Sequence, residues 1–139
     1  MFVGEYKHTF DEKNRIFIPS RLRSELGERF MVTKGFDRCL FVFPMPKWEA
    51  FAAKIAALPM VKNRRERLYF FSNAVECTLD AQGRVTVSPL LKEFAGFVKD
   101  VTVVGNDDRI ELWAGEVWNE EQDKLDPASI AESLIEAGL

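Results

Sequence analysis

The sequence contains the same pattern twice. Aligning HTFDEKNRIFIPSRLRSELG (8–27) with CTLDAQGRVTVSPLLKEFAG (77–96) sets Asp11 on Asp80, Arg15 on Arg84, Leu22 on Leu91 and Gly27 on Gly96, all at one offset. One extra residue then enters and the match continues, with Gly35 on Gly105, Asp37 on Asp107, Phe43 on Trp113 and Trp48 on Trp118. An Asp and an Arg that recur at one spacing inside a matching apolar pattern mark a duplicated supersecondary unit. Each copy is roughly 45 residues, a size at which a lone core is marginal. The two copies are therefore expected to share one core, their strands interleaved about a pseudo-two-fold axis.

Each copy reads as strand, turn, strand, short helix, strand, turn, strand. Tyr6, His8 and Phe10 alternate on one strand face, and Ile16 and Ile18 point inward after the turn; Val75, Cys77, Leu79, Val85 and Val87 repeat this. EKN and AQG are turn compositions, placing Gly83, and Asn14 in its stead, at a positive φ. Ser88 before Pro89 reads as a helix N-cap, Ser20 as a related one, and Gly27 and Gly96 as stops. The later strands meet at the turns FDR (36–38) and NDD (106–108). Between the copies, Trp48, Phe51, Ile55 and Leu58 form a helical stripe, and VKNRRERLYFFSNA (61–74) a second helix. The strand CLFVF (39–43) is apolar on both faces, whereas its counterpart RIELW (109–113) carries Arg109 and Glu111 on one. We therefore expect the face of Arg109 and Glu111 to meet water. CLFVF is expected to be covered partly by the helix of Trp48, Phe51 and Ile55 and partly by a neighbouring subunit, with Phe41 close to the subunit contact.

With 139 residues, 47% of them hydrophobic, the chain has ample core material. Its formal net charge of −3 gives no global attraction to nucleic acid, so any such contact rests on local basic clusters. Cys39 and Cys77 lack metal-ligand spacing and read as buried thiols. MFVGEYKH is no secretory leader and no stretch is long enough to span a membrane, which points to the cytosol.

Asp-x-x-x-Arg appears as DEKNR (11–15) and as DAQGR (80–84). With MFVGEYKHTFDEK, RRERLYFFSNAVECTLDAQGRV and VVGNDDRIELW, the chain resembles the MraZ family of bacterial transcriptional regulators of the division and cell-wall gene cluster. The resemblance covers residues 1 to 118. It implies an α+β fold of two pseudo-symmetric AbrB-like swapped-hairpin β units, forming a small barrel-like core with flanking helices. On that reading residues 1–139 are one unit, with repeats at 5–48 and 75–118 and an acidic helical tail at 119–139. The resemblance further implies a ring-shaped homo-oligomer, an octamer or dodecamer, that binds repeated double-stranded promoter elements and represses its own gene cluster. Cytoplasmic, nucleoid-associated placement follows from that role. It implies no cofactor, no metal, no small-molecule substrate and no membrane. One departure from the family pattern is Asn14, where the family usually has Gly.

The residue chemistry is compatible with this. Arginine offers a planar fork of donors for guanine O6 and N7, or for a phosphate, and a turn projects it from a rigid support. Arg15 and Arg84 are the primary DNA-binding candidates, with Asp11 and Asp80 orienting them. Lys13 is a phosphate contact, Gln82 its uncharged counterpart, Asn14 and Gly83 shape the loops, and Arg21, Arg23 and Lys92 widen the rim. A single Asp–Arg turn reads equally well as an ion pair closing a hairpin; two copies and the resemblance favour DNA. KNRRER (62–67) reads as a partner for the acidic NEEQD (119–123), within or between chains, ahead of a DNA contact. His8 reads as structural, and Asp107 and Asp108 as turn residues without nucleophile or metal-ligand spacing. The alternatives to a regulator are a protein-only oligomeric scaffold and an enzyme with an unrecognised site.

Overall fold

Which strand sits beside which is set by where each apolar face finds cover, and here the cover is exchanged between the two copies. The computed structural model describes residues 1–139. The first copy comprises β1 (Glu5–Thr9), β2 (Arg15–Phe17), α1 (Ser20–Leu26), β3 (Arg29–Lys34), β4 (Leu40–Pro44) and α2 (Met45–Ala56). After α3 (Arg64–Asn73) the same succession returns as β5 (Val75–Thr78), β6 (Arg84–Thr86), α4 (Pro89–Ala95), β7 (Asp100–Asn106), β8 (Arg109–Ala114) and α5 (Gly115–Gln122), and α6 (Pro127–Glu136) ends the chain.

The fold is α+β, with antiparallel sheets. Six strands run in the order β1-β7-β8-β4-β3-β5, and β2 pairs with β6 in a separate ribbon. β1 lies against β7 of the other copy, with Tyr6 opposite Val103, and β5 lies against β3, with Cys77 opposite Phe30. The central pair joins the copies through Leu40–Leu112 and Val42–Ile110. The expected barrel-like core is corrected here: the sheet is open, with β1 and β5 at its two edges. Closure is unnecessary because the β2–β6 ribbon, α1 and α4 cover one face. Ile16, Ile18, Val85 and Val87 from the ribbon segments and Leu22, Leu26 and Leu91 from the helices pack on Val32, Leu40, Val42, Val103, Ile110 and Leu112.

The odd residues of β4 and its approach point the other way, as period two requires. Cys39, Phe41 and Phe43 form a second cluster with Trp48, Trp113 and Trp118, and Phe51 packs against it. Phe41 is buried within its own chain, edge-on to Phe36 and Phe43, so its cover comes from the same chain. Glu111 does not meet water either. It is only 8% exposed, and its carboxylate accepts from Asn106 Nδ2 at 2.9 Å, Arg109 Nε at 3.0 Å and Trp113 Nε1 at 3.1 Å. The Arg109 guanidinium in turn lies over the Phe41 ring at 4.3 Å. Three donors, one of them a guanidinium, offset the large cost of taking this carboxylate out of water. Burial and the neighbouring Glu111 push the Cys39 thiol well above its ordinary range, keeping it protonated and unreactive.

Helix ends follow the local chemistry, with two differences. Ser88 caps α4 by accepting from Leu91 N at 3.3 Å, and Gly96 ends it in the left-handed region. Ser20 instead lies inside α1, whose N-cap is Pro19. α2 ends at Ala56, leaving Leu58 beyond it. The anticipated pairing of KNRRER with NEEQD is not formed within the chain. Arg67 donates to the Ala56 carbonyl at 2.7 Å, and the ion pair in the acidic stretch is Glu121 with Lys124. No helix is long and apolar enough to cross a membrane.

Candidate nucleic-acid interface

The strands flanking each Asp-x-x-x-Arg segment do not ladder with each other, since β1 leaves for the large sheet and β2 for the ribbon. Each loop is therefore closed by its own aspartate. In the first, Asp11 N donates to the Arg15 carbonyl at 3.0 Å and Asn14 N to the Asp11 carbonyl at 3.2 Å. Asp11 Oδ1 accepts from the backbone of Lys13 and of Arg15, both at 2.9 Å, and Oδ2 accepts from Arg15 Nε at 2.7 Å. The second loop repeats this bond for bond. Asp80 Oδ1 takes Gln82 N and Arg84 N at 2.9 Å, and Oδ2 takes Arg84 Nε at 2.8 Å. Asn14 sits at φ 58° and Gly83 at φ 81°, the positive-φ positions the turn requires.

Both aspartates are held below the ordinary carboxylate range. At Asp11 partial dehydration is the largest single influence and acts upward. The hydrogen bonds from the Arg15 backbone, the Arg15 guanidinium and the Lys13 backbone together outweigh it. At Asp80 the Arg84 backbone N–H leads, dehydration opposes it, and the Arg84 guanidinium and Gln82 N–H add to it. Both loops therefore carry ionised carboxylates that fix the Nε edge of an arginine.

The ribbon brings the two motifs side by side. Its register sets Arg15 against Thr86 and Phe17 against Arg84. With Ile16 and Val85 buried beneath, alternation puts Arg15, Phe17, Arg84 and Thr86 on the outward face. Arg84 Nη1 also lies 3.6 Å from Asp11 Oδ2, and its guanidinium lies 5.8 Å from the Phe17 ring centre. The Nη edge of Arg15 makes no hydrogen bond within the chain. Phe17 was not singled out from the sequence, although its parity with Arg15 was the available signal. Lys13 and Gln82 are exposed and engage the loops only through their backbones.

Each loop is also tied to the opposite copy. The Asn14 carbonyl accepts from Val87 N and the Gly83 carbonyl from Ile18 N, both at 3.0 Å. Arg23 and Lys92, equivalent positions expected on a basic rim, turn inward and do different things. Lys92 Nζ donates to Asn14 Oδ1 at 2.7 Å. Arg23 Nε donates to the Ile18 carbonyl at 2.7 Å, and its guanidinium fills the space a side chain at Gly83 would occupy. Arg21 remains exposed. His8, half-buried on the edge strand β1, is kept below its ordinary pKa first by burial and then by the Arg23 charge.

Comparison with known proteins finds relatives along the whole chain. The family described as "MraZ protein, putative antitoxin-like" matches residues 1–69 and again 70–136. A protein of Carboxydothermus hydrogenoformans named "Transcriptional regulator MraZ" is 51% identical over 122 residues, covering 86% of this chain and 85% of the relative. Proteins of the same name from Heliobacterium modesticaldum and Desulfitobacterium hafniense are 44% and 43% identical over the whole of both chains. A loop built twice on Asp-x-x-x-Arg, and likeness along the full length, lead to one assignment: this chain belongs to the MraZ family.

Proposed function

We propose that this chain is a transcriptional regulator that binds double-stranded promoter DNA in a sequence-specific way, without catalysis and without a cofactor. Arg15 and Arg84 make the contacts. Asp11 and Asp80 orient them, Asn14 and Gly83 shape the loops, and Lys13 and Gln82 flank them. The observation that carries this reading is the adjacency of the two motifs on the outward face of the ribbon, each arginine held at Nε. A guanidinium fixed along that edge keeps its Nη hydrogens for a guanine edge or a phosphate. The name shared by the relatives supports the regulatory role. We further read the repeats 5–48 and 75–118 as AbrB-like swapped-hairpin units, the chain as cytoplasmic and nucleoid-associated, and the working form as a homo-oligomeric ring. Such a ring repeats the contact along spaced promoter elements, so that avidity replaces the missing net positive charge. The regulated target is its own division and cell-wall gene cluster, which it represses.

A footprint on DNA upstream of its own gene tests the proposal. Protection of spaced repeats, competed poorly by random duplex, is expected. Arg15→Ala and Arg84→Ala should each weaken operator binding by about 1–3 kcal/mol for a base contact. For a phosphate contact they should instead lower the log–log salt slope by about 0.9. Unchanged binding by the folded, assembled double variant refutes the assignment of the arginines.

A further inference from the structure

Two surfaces of this chain are apolar, uncovered and oppositely charged. The first is the groove where α2 leads into α3, about 380 Å³, lined by Met60, Val61, Leu68 and Phe71 with Arg64 and Arg67. Val61 is 91% exposed, and the other three apolar residues are exposed as well. Lys62, Arg64 and Arg65 beside it form no ion pair within the chain. The second surface is α6. Ile130, Ala131, Leu134 and Ile135 fall on one arc of this helix, while Glu132 and Glu136 fall on another. None of its residues is buried, and neither glutamate has a cationic partner.

A helix this short does not persist in water by propensity alone, since isolated helices below about 12–15 residues are marginal. Local signals define it well, with Asp126 accepting from Ser129 N and Oγ at 3.0 Å. What it lacks is a surface for its apolar arc. The α2–α3 groove lacks an occupant and carries the complementary charge. The two surfaces belong to one chain, yet they are not joined within it.

We infer that α6 of one copy docks into the α2–α3 groove of a second copy, with Glu132 and Glu136 against Lys62, Arg64 and Arg65. The occupant is the tail of an identical chain. This contact joins two different surfaces, so it is head-to-tail and builds either a closed ring or an open chain. The inference rests on the homo-oligomer reading above and names the surface that would hold it together.

Charge reversal in the full-length chain tests it. A tail variant, Glu132→Lys with Glu136→Lys, and a groove variant, Arg64→Glu with Arg65→Glu, are each examined by light scattering and circular dichroism. Each alone should show at least a twofold drop in particle mass with its secondary structure kept. Mixing the two should restore the mass, because each reversed surface then meets its reversed counterpart. A single chain carrying all four changes should assemble by itself. An oligomeric wild type whose mass neither variant changes overturns the docking site while leaving the oligomer reading standing. Lost mass with no rescue on mixing overturns the pairing of tail with groove. A monomeric wild type at all concentrations removes both.

Discussion

The two loops solve one steric problem in different ways, and exchanging the solutions is a sharp test. At position 14 the loop carries Asn, bonded to Lys92; at position 83 it carries Gly, and Arg23 occupies the vacant side-chain volume. A Cβ on Gly83 would lie within 2.5 Å of Arg23 Nε and Nη1, so Gly83→Asn must displace that guanidinium. Displacement breaks the Arg23–Ile18 bond, a charged hydrogen bond of about 1.5–3 kcal/mol. The left-handed conformation at φ 81° adds a smaller cost, about 1 kcal/mol, which Asn tolerates better than most residues. The single change should therefore destabilise by about 2.5–4 kcal/mol. Arg23→Lys alone loses the same bond to Ile18. Combined, the two changes recreate the Asn14–Lys92 pair on the other side, so their joint cost should fall short of the sum by about 1 kcal/mol or more. Urea unfolding at one fixed protein concentration gives all four corners of the cycle, with an unchanged m-value as the control. Additive costs within about 0.5 kcal/mol would refute the idea that positions 23 and 83 compensate each other.

Phe41→Ala should cost about 3–5 kcal/mol in the same unfolding assay, because its ring is enclosed by Phe36, Phe43 and the Arg109 guanidinium; a cost below about 1 kcal/mol would contradict that packing. Phe41→Glu should fail to fold, which a normal circular dichroism spectrum would disprove. The lowered pKa values of Asp11 and Asp80 mean their contribution to stability is complete above the unfolded value of about 3.9 and is lost as pH falls through the lower folded values. The loops should thus stay closed between pH 7 and pH 5, and an Asp11 carboxyl titration by NMR with its midpoint at or above about 4 would oppose the bonding described here. Asn14→Val should destabilise the first loop, since a β-branched residue fits φ 58° badly, and a normal unfolding midpoint would count against that.

Period-two alternation told which face each strand buries, and the two clusters on β4 divide along that line. Alternation says nothing about whether interleaved strands close into a small barrel or stay as an open sheet, and here the sheet stays open. Glu111 was misjudged for a related reason. A lone charge in an alternating strand reads as solvent-facing, yet its donors Asn106, Arg109 and Trp113 all lie within five residues of it. For Phe41 the sequence offers two covers, the helix of Trp48, Phe51 and Ile55 or a neighbouring subunit, and within the chain it is Trp48 and Phe51 that supply it. Lys92 and Asn14 are 78 residues apart, and only the exchange of strands between copies brings them together.

That exchange bears on how an acidic chain reaches DNA under the proposed function. Each arginine is paired with its own aspartate, so neither motif adds net charge to the ribbon. Non-specific attraction, which scales with uncompensated cations, is correspondingly weak. What the loop offers instead is direction. Nε is fixed by the carboxylate, and crossed backbone bonds to Val87 and Ile18 hold each loop from the other copy. Disturbing one loop should therefore disturb both, because Arg84 also reaches Asp11. Asp11→Ala provides the discriminating case. If the carboxylate served only to lower charge, its removal would tighten DNA binding at low salt. If it serves to aim the two arginines, specific binding should fall while binding to random duplex rises. The ratio of the two affinities, measured at a single salt concentration, separates these accounts, and a ratio that does not fall would leave Asp11 with no part in aiming.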